Sequence, residues 1–335
     1  MQAVLLAGGL GTRLRPLTWS RPKALVPLLN RPMVLHVLDR LPASVDEVLI
    51  AANYGTEQLT AFFAKEDAGR RVTVVREKRP LGTAGCLKNL ADRLRGTFLA
   101  FNADVVASVA VPELLAAHNR NGGIGTIALW EVEDPSAFGV VAVDGERITK
   151  FVEKPAKGRA PSSLVNAGIY AFEPEILKSI PQGKASLERE VFPKILRKGL
   201  YGFPFTGYWA DAGTLEHFLH ATEVLLRAQG TEVSHRATVL PAAKVERPVA
   251  VAADATVGGH VGPVVTVGAS CVIGDARVSR SVLFDRVTVS DRAVVERSIL
   301  GEGSWIGPRT TVRDSIIGDG VTVRADAEVL GERKR

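Results

Sequence analysis

The chain has only two cysteines in its 335 residues, Cys86 and Cys271, far apart and in no CxxC pair. That spacing excludes a zinc ribbon and a disulfide framework, and two free thiols suit a reducing compartment. No run reaches 18 consecutive apolar residues, so no segment is expected to span a membrane. A signal peptide is not expected either, because the first apolar residues give way at once to Gly8, Gly9 and arginines. The cytoplasm is the expected location. Aromatic residues make up only 6% and are scattered, which excludes a stacking platform for single-stranded nucleic acid. The net charge of +6 is modest for this length. It suits a small anionic substrate better than DNA or RNA, which would ask for a basic face.

One further lack is local. The first 38 residues hold no carboxylate, yet they carry Arg13, Arg15, Arg21, Lys23 and Arg31. Within them an apolar run, Ala3 to Ala7, leads into Gly8-Gly9-Leu10-Gly11-Thr12-Arg13-Leu14-Arg15-Pro16 and then Arg21-Pro22-Lys23. A short apolar run closed by glycine reads as a strand covered on both faces. The glycines let backbone N–H groups turn toward an anion without Cβ clashes. The opening is therefore a strand running into a cationic loop suited to a polyanion.

Hydrophobic residues at 46% and charged residues at 23% are ordinary for a globular chain, and the length favours two domains. Asn30 is expected to cap a helix over Met33, Val34, Val37, Leu38 and Leu41. Strands are expected at Val48 to Ala51, Val72 to Val75 and Phe98 to Phe101, with helices at Gly55 to Ala64 and after Leu81-Gly82-Thr83-Ala84-Gly85. Such alternation predicts βαβ units and a mostly parallel sheet, with ligands at the carboxyl ends of the strands. From Ile124 strands dominate and extend the sheet. A helix with Leu215, Phe218, Leu219, Thr222, Leu225 and Leu226 on its apolar face closes a first domain, residues 1–226. Residues 227–249, with Pro241 and Pro248 and no clean period, read as a linker. In residues 250–335, Val261, Val267 and Ile273 recur at a spacing of six, as do Ile317, Val323 and Val329. That period marks a parallel β-helix, here with slips near Arg277 to Arg286 and Ser298 to Glu302.

Two common nucleotide motifs fail on the opening loop. A Walker A loop needs Lys-Ser or Lys-Thr after its last glycine, and a dinucleotide fingerprint needs glycine where Leu14 stands and must open into a helix that Pro16 forbids. What remains is a fork donor, Arg13, and a point charge, Lys23, both suited to phosphate. Asp104 ends a buried strand and Asp211 sits in Trp209-Ala210-Asp211-Ala212-Gly213; two such carboxylates with phosphate oxygens suit Mg²⁺. A turn or capping role is open for either. Glu153 and Lys154 end another strand at Pro155, facing opposite ways unless the chain bends there. His217 and His220 flank the apolar stripe of the closing helix and are expected to face solvent. His260 in the β-helix is a lone histidine in a glycine-rich coil.

Taken in order, Gly8 to Pro16 with Pro22-Lys23, Leu81 to Gly85, Asn102-Ala103-Asp104, Phe138-Gly139-Val140-Val141, Glu153-Lys154-Pro155, Asn166-Ala167-Gly168 and Trp209 to Gly213 resemble the sugar-phosphate nucleotidyltransferases over the whole chain. The Leu81 to Gly85 segment, Phe151 to Pro155 and Ser186 to Pro193 look most like the mannose-1-phosphate guanylyltransferase branch. The resemblance implies an α/β fold: a Rossmann-like, mostly parallel mixed sheet followed by a left-handed parallel β-helix of hexapeptide repeats. It implies transfer of a nucleotidyl group from a nucleoside triphosphate, GTP for this branch, to a sugar 1-phosphate, with release of pyrophosphate and Mg²⁺ as cofactor. Glucose-1-phosphate thymidylyl or uridylyl transfer, a silent nucleotide-sugar-binding paralogue, and a bifunctional acyltransferase using His260 are the alternatives. Carried over, Arg13 would hold the departing phosphates, Lys23 would steady the nucleotide, Asp104 and Asp211 would bind the metal, and Lys154 would meet the sugar phosphate. Leu6, Ala7, Gly8, Gly9, Gly11, Thr12, Gly82 and Thr83 would hold the nucleotide; Gly139, Glu153 and Asn166 would line the sugar pocket. Arg79 departs from the branch, which often carries an acid there. A homo-oligomer formed through the β-helix is expected.

Overall fold

The computed structural model describes residues 1–335. The chain forms two compact units: Met1–Leu10 with Val34–Trp209, and Gly11–Met33 with Ala210–Arg335. The basic loop is thus grouped with the C-terminal part of the chain, a partition that linear sequence does not suggest.

The first unit is built on one nine-stranded sheet. Its strands are β1 (Gln2–Leu6), β2 (Glu47–Ala52), β3 (Arg71–Arg76), β4 (Phe98–Asn102), β5 (Gly125–Glu131), β6 (Gly139–Asp144), β7 (Arg147–Glu153), β8 (Leu164–Phe172) and β9 (Leu200–Pro204). The order is β3-β2-β1-β4-β8-β5-β9-β7-β6. β1 to β4 are parallel, with Leu6 level with Ala51 and Asn102. β8 runs antiparallel to both β4 and β5 and begins the mixed half. Helices α1 (Thr56–Phe63), α2 (Gly82–Asn89) and α3 (Val111–Asn121) fill the crossovers. Residues of β1, β4 and β8 such as Val4, Phe98, Tyr170 and Phe172 are sealed from solvent, with Leu87 of α2 and Phe192 packed among them. The carboxyl ends of β1 and β4 therefore open side by side, as the alternation of strand and helix predicts.

The second unit contains helix α4 (Leu215–Gln229) and a β-helix of three parallel sheets with seven, six and six strands. The six-residue period becomes geometry here. Val261, Val267 and Ile273 lie one on each sheet and are buried, and Ile317, Val323 and Val329 repeat the arrangement. A rung is 16 to 18 residues, pairing Thr256 with Val272, His260 with Arg277, and Thr238 with Thr256. Rungs shorter than three full hexapeptides account for the slips in the sequence pattern. Arg280, Arg286, Arg292, Arg297 and Arg309 take positive φ at the corners. Several pair with an acid one rung on, as Arg297 does with Asp314 at 2.7 Å and Arg309 with Asp326 at 2.5 Å.

Two expectations change. Residues read as a linker form three short strands, Glu232–Val233, Thr238–Val239 and Lys244–Val245, which pair in parallel with the next rung. They are the terminal coil, half-exposed because nothing stacks beyond them, and so they lack an apolar period. Asn30 is not a helix cap: Leu29 and Asn30 both have positive φ in a tight turn between Pro27–Leu28 and Arg31–Pro32, and the helix spans Met33–Leu38.

Candidate active site

In the first unit the ends of β1, β3 and β4 carry the nucleotide candidates. Leu6 O accepts from Ala103 N at 3.3 Å and Ala7 N donates to Ala51 O at 2.9 Å, so these two residues extend the sheet to its rim. Gly9 lies open, with nothing within 4 Å of where a Cβ would stand. Gly8 faces a carboxylate: a Cβ there would lie 3.0 Å from Glu77 Oε2. Glu77 is 3% exposed. Its Oε2 accepts from Leu81 N at 3.1 Å, while Oε1 is buried with no hydrogen-bond partner. Burial pushes its pKa up, offset in part by the Leu81 N–H.

Gly82 and Gly85 are forced by packing. A Cβ would sit 2.5 Å from Ala185 O at Gly82 and 2.2 Å from Gly183 O at Gly85. Ala84 N and Gly85 N donate to Ala185 O at 3.0 and 3.3 Å, and Ala185 N returns a bond to Leu81 O at 2.8 Å. Thr83 donates to Glu188 Oε2 at 2.7 Å and accepts from Leu187 N at 2.9 Å. The Thr83 hydroxyl thus braces this segment from within.

Asp104 follows β4 half-buried, two residues beyond Asn102, whose side chain fills the space a Cβ on Gly168 would need. Asn166 donates to Tyr170 Oη at 2.9 Å and accepts from Gly168 N at 3.0 Å, holding a bulge in β8. Gly139 and Glu153 meet as register partners of β6 and β7, and a Cβ on Gly139 would lie 2.9 Å from Glu153 Oε2. Burial, then Glu188, pushes the Glu153 pKa up. Lys154 has φ +50° and its N–H bonds Phe138 O at 2.9 Å. That left-handed residue, ahead of Pro155, breaks the strand alternation that would have kept Lys154 opposite Glu153.

In the second unit Gly11, at φ +61°, starts the turn Thr12–Leu14; a Cβ there would meet Thr18 Cγ2 at 2.8 Å and Lys23 Cβ at 3.3 Å. Thr18 donates to Gly11 O at 2.8 Å, and buried Leu14 and Leu17 anchor the turn, leaving Thr12 and Arg13 exposed. Gly213 explains its own identity: a Cβ would lie 2.8 Å from an Arg13 guanidinium nitrogen and 2.9 Å from Asp211 Oδ2. Burial alone would raise the Asp211 pKa. The hydrogen bond and charge of His217, then the charges of Lys23 and Arg13, more than offset it, and the carboxyl titrates below its ordinary range. Arg13, Lys23 and Asp211 are therefore one cluster.

His217 was missed as a site residue. Its Nδ1 lies 2.6 Å from Asp211 Oδ1 and has no other partner. Bonding to Asp211 raises its pKa against burial, which lowers it. It does not simply face solvent as expected. Its position three residues past the helix cap Thr214, six after Asp211, was the available signal. Glu77 was missed too; it is the one acid in Arg76-Glu77-Lys78-Arg79, at a strand end directly before the Leu81 segment. His260 pairs with Glu246 at 3.3 Å in an exposed position.

Residues 2–228 match the Nucleotidyl transferase family and residues 230–333 the GMPPB C-terminal domain. The chain belongs to the nucleotidyl transferase family. Among similar proteins, the mannose-1-phosphate guanylyltransferase of Mycobacterium tuberculosis is 39% identical over 88% of this chain and 83% of its own length. Mannose-1-phosphate guanylyltransferase 1 of Arabidopsis thaliana is 35% identical over 88% and 84%. The crystal structure of HddC from Yersinia pseudotuberculosis superposes with a TM-score of 0.57 at 25% identity, covering 67% of this chain and 99% of that one. The division of the nucleotidyl transferase match from the C-terminal domain falls at the end of α4. It leaves the strands from Glu232 onward with the β-helix, as the pairing does.

Proposed function

We propose that this nucleotidyltransferase joins GTP and mannose 1-phosphate to give GDP-mannose and pyrophosphate. A sugar-phosphate oxygen attacks the α-phosphorus in line, the bond from the α-phosphorus to the bridging oxygen breaks, and pyrophosphate leaves with the electron pair. Such a transfer needs positioning and charge neutralisation and no covalent enzyme intermediate. Arg13 grips the departing β- and γ-phosphates as a fork, and Lys23 neutralises the nucleotide phosphates as a point charge. Lys154 meets the sugar phosphate, and Glu153, in the space that Gly139 leaves, accepts from sugar hydroxyls beside Asn166. The glycines Gly8, Gly9, Gly11 and Gly82 let backbone approach the nucleotide, flanked by Leu6, Ala7, Thr12 and Thr83. Ionised, hard oxygens suit a divalent cation, and Asp211, kept anionic by its cationic neighbours, fits that need; Asp104 supplies the second carboxylate. Mg²⁺ bound there would neutralise phosphate charge.

One observation carries the choice of base. Glu77 touches both segments assigned to the base, Gly8 and Leu81, and keeps one carboxylate oxygen without a donor. Leaving a buried acceptor unmet costs about 1–3 kcal/mol, so a donor brought by the ligand is favoured. The Watson–Crick edge of guanine offers adjacent N1–H and N2–H₂ donors. A pyrimidine such as uracil offers one N–H between two carbonyl oxygens that would repel a carboxylate. Pyrophosphate release with mannose 1-phosphate should therefore rank GTP above ITP, which lacks the 2-amino group, and far above UTP and dTTP. Glu77→Gln should narrow the GTP-to-ITP ratio. Equal use of UTP and GTP by the native chain would refute the assignment of the base.

Self-association is proposed on the β-helix sheet whose outward column includes Val272 and Trp305, 47% and 36% exposed. Val272 and Trp305 stand in a column with Thr256, Thr288 and Thr322, and apolar side chains exposed on a parallel sheet invite packing against a second copy. Val272→Asp with Trp305→Asp should yield a smaller particle by light scattering, and an unchanged size would count against this face.

A further inference from the structure

Arg79, the departure from the guanylyltransferase pattern, is not used by the reaction above. It lines a cavity of about 380 Å³ beside α2. Arg76, Lys78 and Lys88 share that cavity, the amides of Asn89 and Gln182 complete its polar wall, and no carboxylate lines it. Neutralisation from outside is slight. Arg76 reaches Glu57 at 3.2 Å, with both side chains more than 70% exposed, and such pairs hold little. Lys88 Nζ donates to Leu177 O at 2.8 Å, which fixes the ammonium but leaves its charge uncancelled. The only acid in this stretch, Glu77, is buried against Gly8 and bonded to Leu81 N.

We propose that this cavity is a second anion site, distinct from the nucleotide loop, that takes a small phosphorylated carbohydrate. Its volume lies at the small-ligand end of binding pockets. Two arginines and two lysines provide fork and point-charge donors for a phosphate dianion. Asn89 and Gln182 each offer donor and acceptor, the complement of sugar hydroxyls.

The cavity also has a route to the base. Leu81 and Gly85 form its α2 side and Gln182 and Gly183 the facing side. Those sides are latched together by the bonds of Ala185 to Leu81 O, Ala84 N and Gly85 N. The same Leu81 gives its N–H to Glu77. A ligand that braces the two walls stabilises the latch and, through Leu81, the Glu77 carboxylate. Occupation should therefore alter nucleotide affinity more than turnover.

The test uses the full chain and glucose 6-phosphate, whose anomeric carbon bears no phosphate and which is no acceptor in the transfer. By calorimetry the native protein should bind it several-fold more tightly than inorganic phosphate, with affinity falling as salt rises. Lys78→Glu with Arg79→Glu should weaken binding at least tenfold and leave the far-ultraviolet spectrum unchanged, whereas Arg13→Ala should retain it. No binding by the native protein, or loss in Arg13→Ala but not in the double variant, would overturn the site. Equal affinity for phosphate and glucose 6-phosphate would overturn the role of the amides. Because the readout is binding, it stands apart from which nucleotide and sugar the enzyme joins.

Discussion

The loop that carries Arg13 and Lys23 is held by the β-helix, and Arg21 is the residue on which that claim can be broken. Arg21 lies between Glu302 at 2.8 Å and Asp319 at 2.7 Å, with 18% of its side chain exposed. Ser20 bonds Asp319 as well, Arg21 stacks over Phe284, Asn30 bonds Val267 O at 3.1 Å, and Arg333 bonds the Arg13 carbonyl. Exposed pairs are worth about 0–1 kcal/mol and fully buried ones cost about 3–5 kcal/mol to break. With its partners 30% and 22% exposed, Arg21→Ala belongs between these limits, at about 2 kcal/mol. For a domain of this size that is a fall in Tm of about 4–8 °C. Arg21 itself is a positioning residue, so the kinetic effect comes through Arg13 and Lys23. Displacement by about 1 Å can cost up to about a hundredfold in rate, and kcat should fall by about tenfold or more. Arg21→Lys, which keeps the charge but loses the fork, should fall between. The measurements are thermal melts and steady-state pyrophosphate release. If Arg21→Ala melted within 1 °C of the native protein, the energetic argument would fail. If it melted lower but kept its kcat, the β-helix would stabilise the loop without setting its geometry.

Three further outcomes follow from the same structure. The folded pKa of His217 is raised above 6.5 and that of Asp211 lowered below 3.8. The His217 contribution is complete below pH 6.5 and is lost as pH rises through its folded value, while that of Asp211 is present above pH 3.8 and is lost as pH falls through its folded value. His217→Ala should therefore lower Tm more at pH 5.5 than at pH 8.5, and an equal drop at both would disprove the pairing. Cys86 and Cys271 are 3% and 0% exposed, with burial raising both thiols, Cys271 to about 12. A thiol reagent at pH 8 should leave the native protein unmodified and label both after unfolding. Ile306 is fully buried in the β-helix between its register partners Val289 and Val323. Ile306→Ala should cost about 2–5 kcal/mol in denaturant unfolding, whereas a loss under about 1 kcal/mol would mean that the rungs repack.

What the chain declared in advance was whatever depends on neighbours in sequence. Short apolar runs and period 3.6 marked the parallel strands and their helices, because a strand covered on both faces is apolar throughout and a helix must turn one apolar face inward. A spacing of six marked the β-helix, because Val261, Val267 and Ile273 each step to the next sheet of one rung. The glycine loop, Asp104 and Asp211 could be singled out because each follows a strand or a tight segment. Tertiary structure alone decided the rest. It gave the loop of Gly11–Met33 to the C-terminal unit through ion pairs about 300 residues apart in sequence. It drew His217 to Asp211, turned Lys154 by a positive φ, and gave Thr83 to internal bracing. It also buried Glu77 against Gly8 while leaving Arg79 to line a cationic cavity. Local periodicity encodes which face of an element is apolar; which charge meets which depends on how distant segments pack.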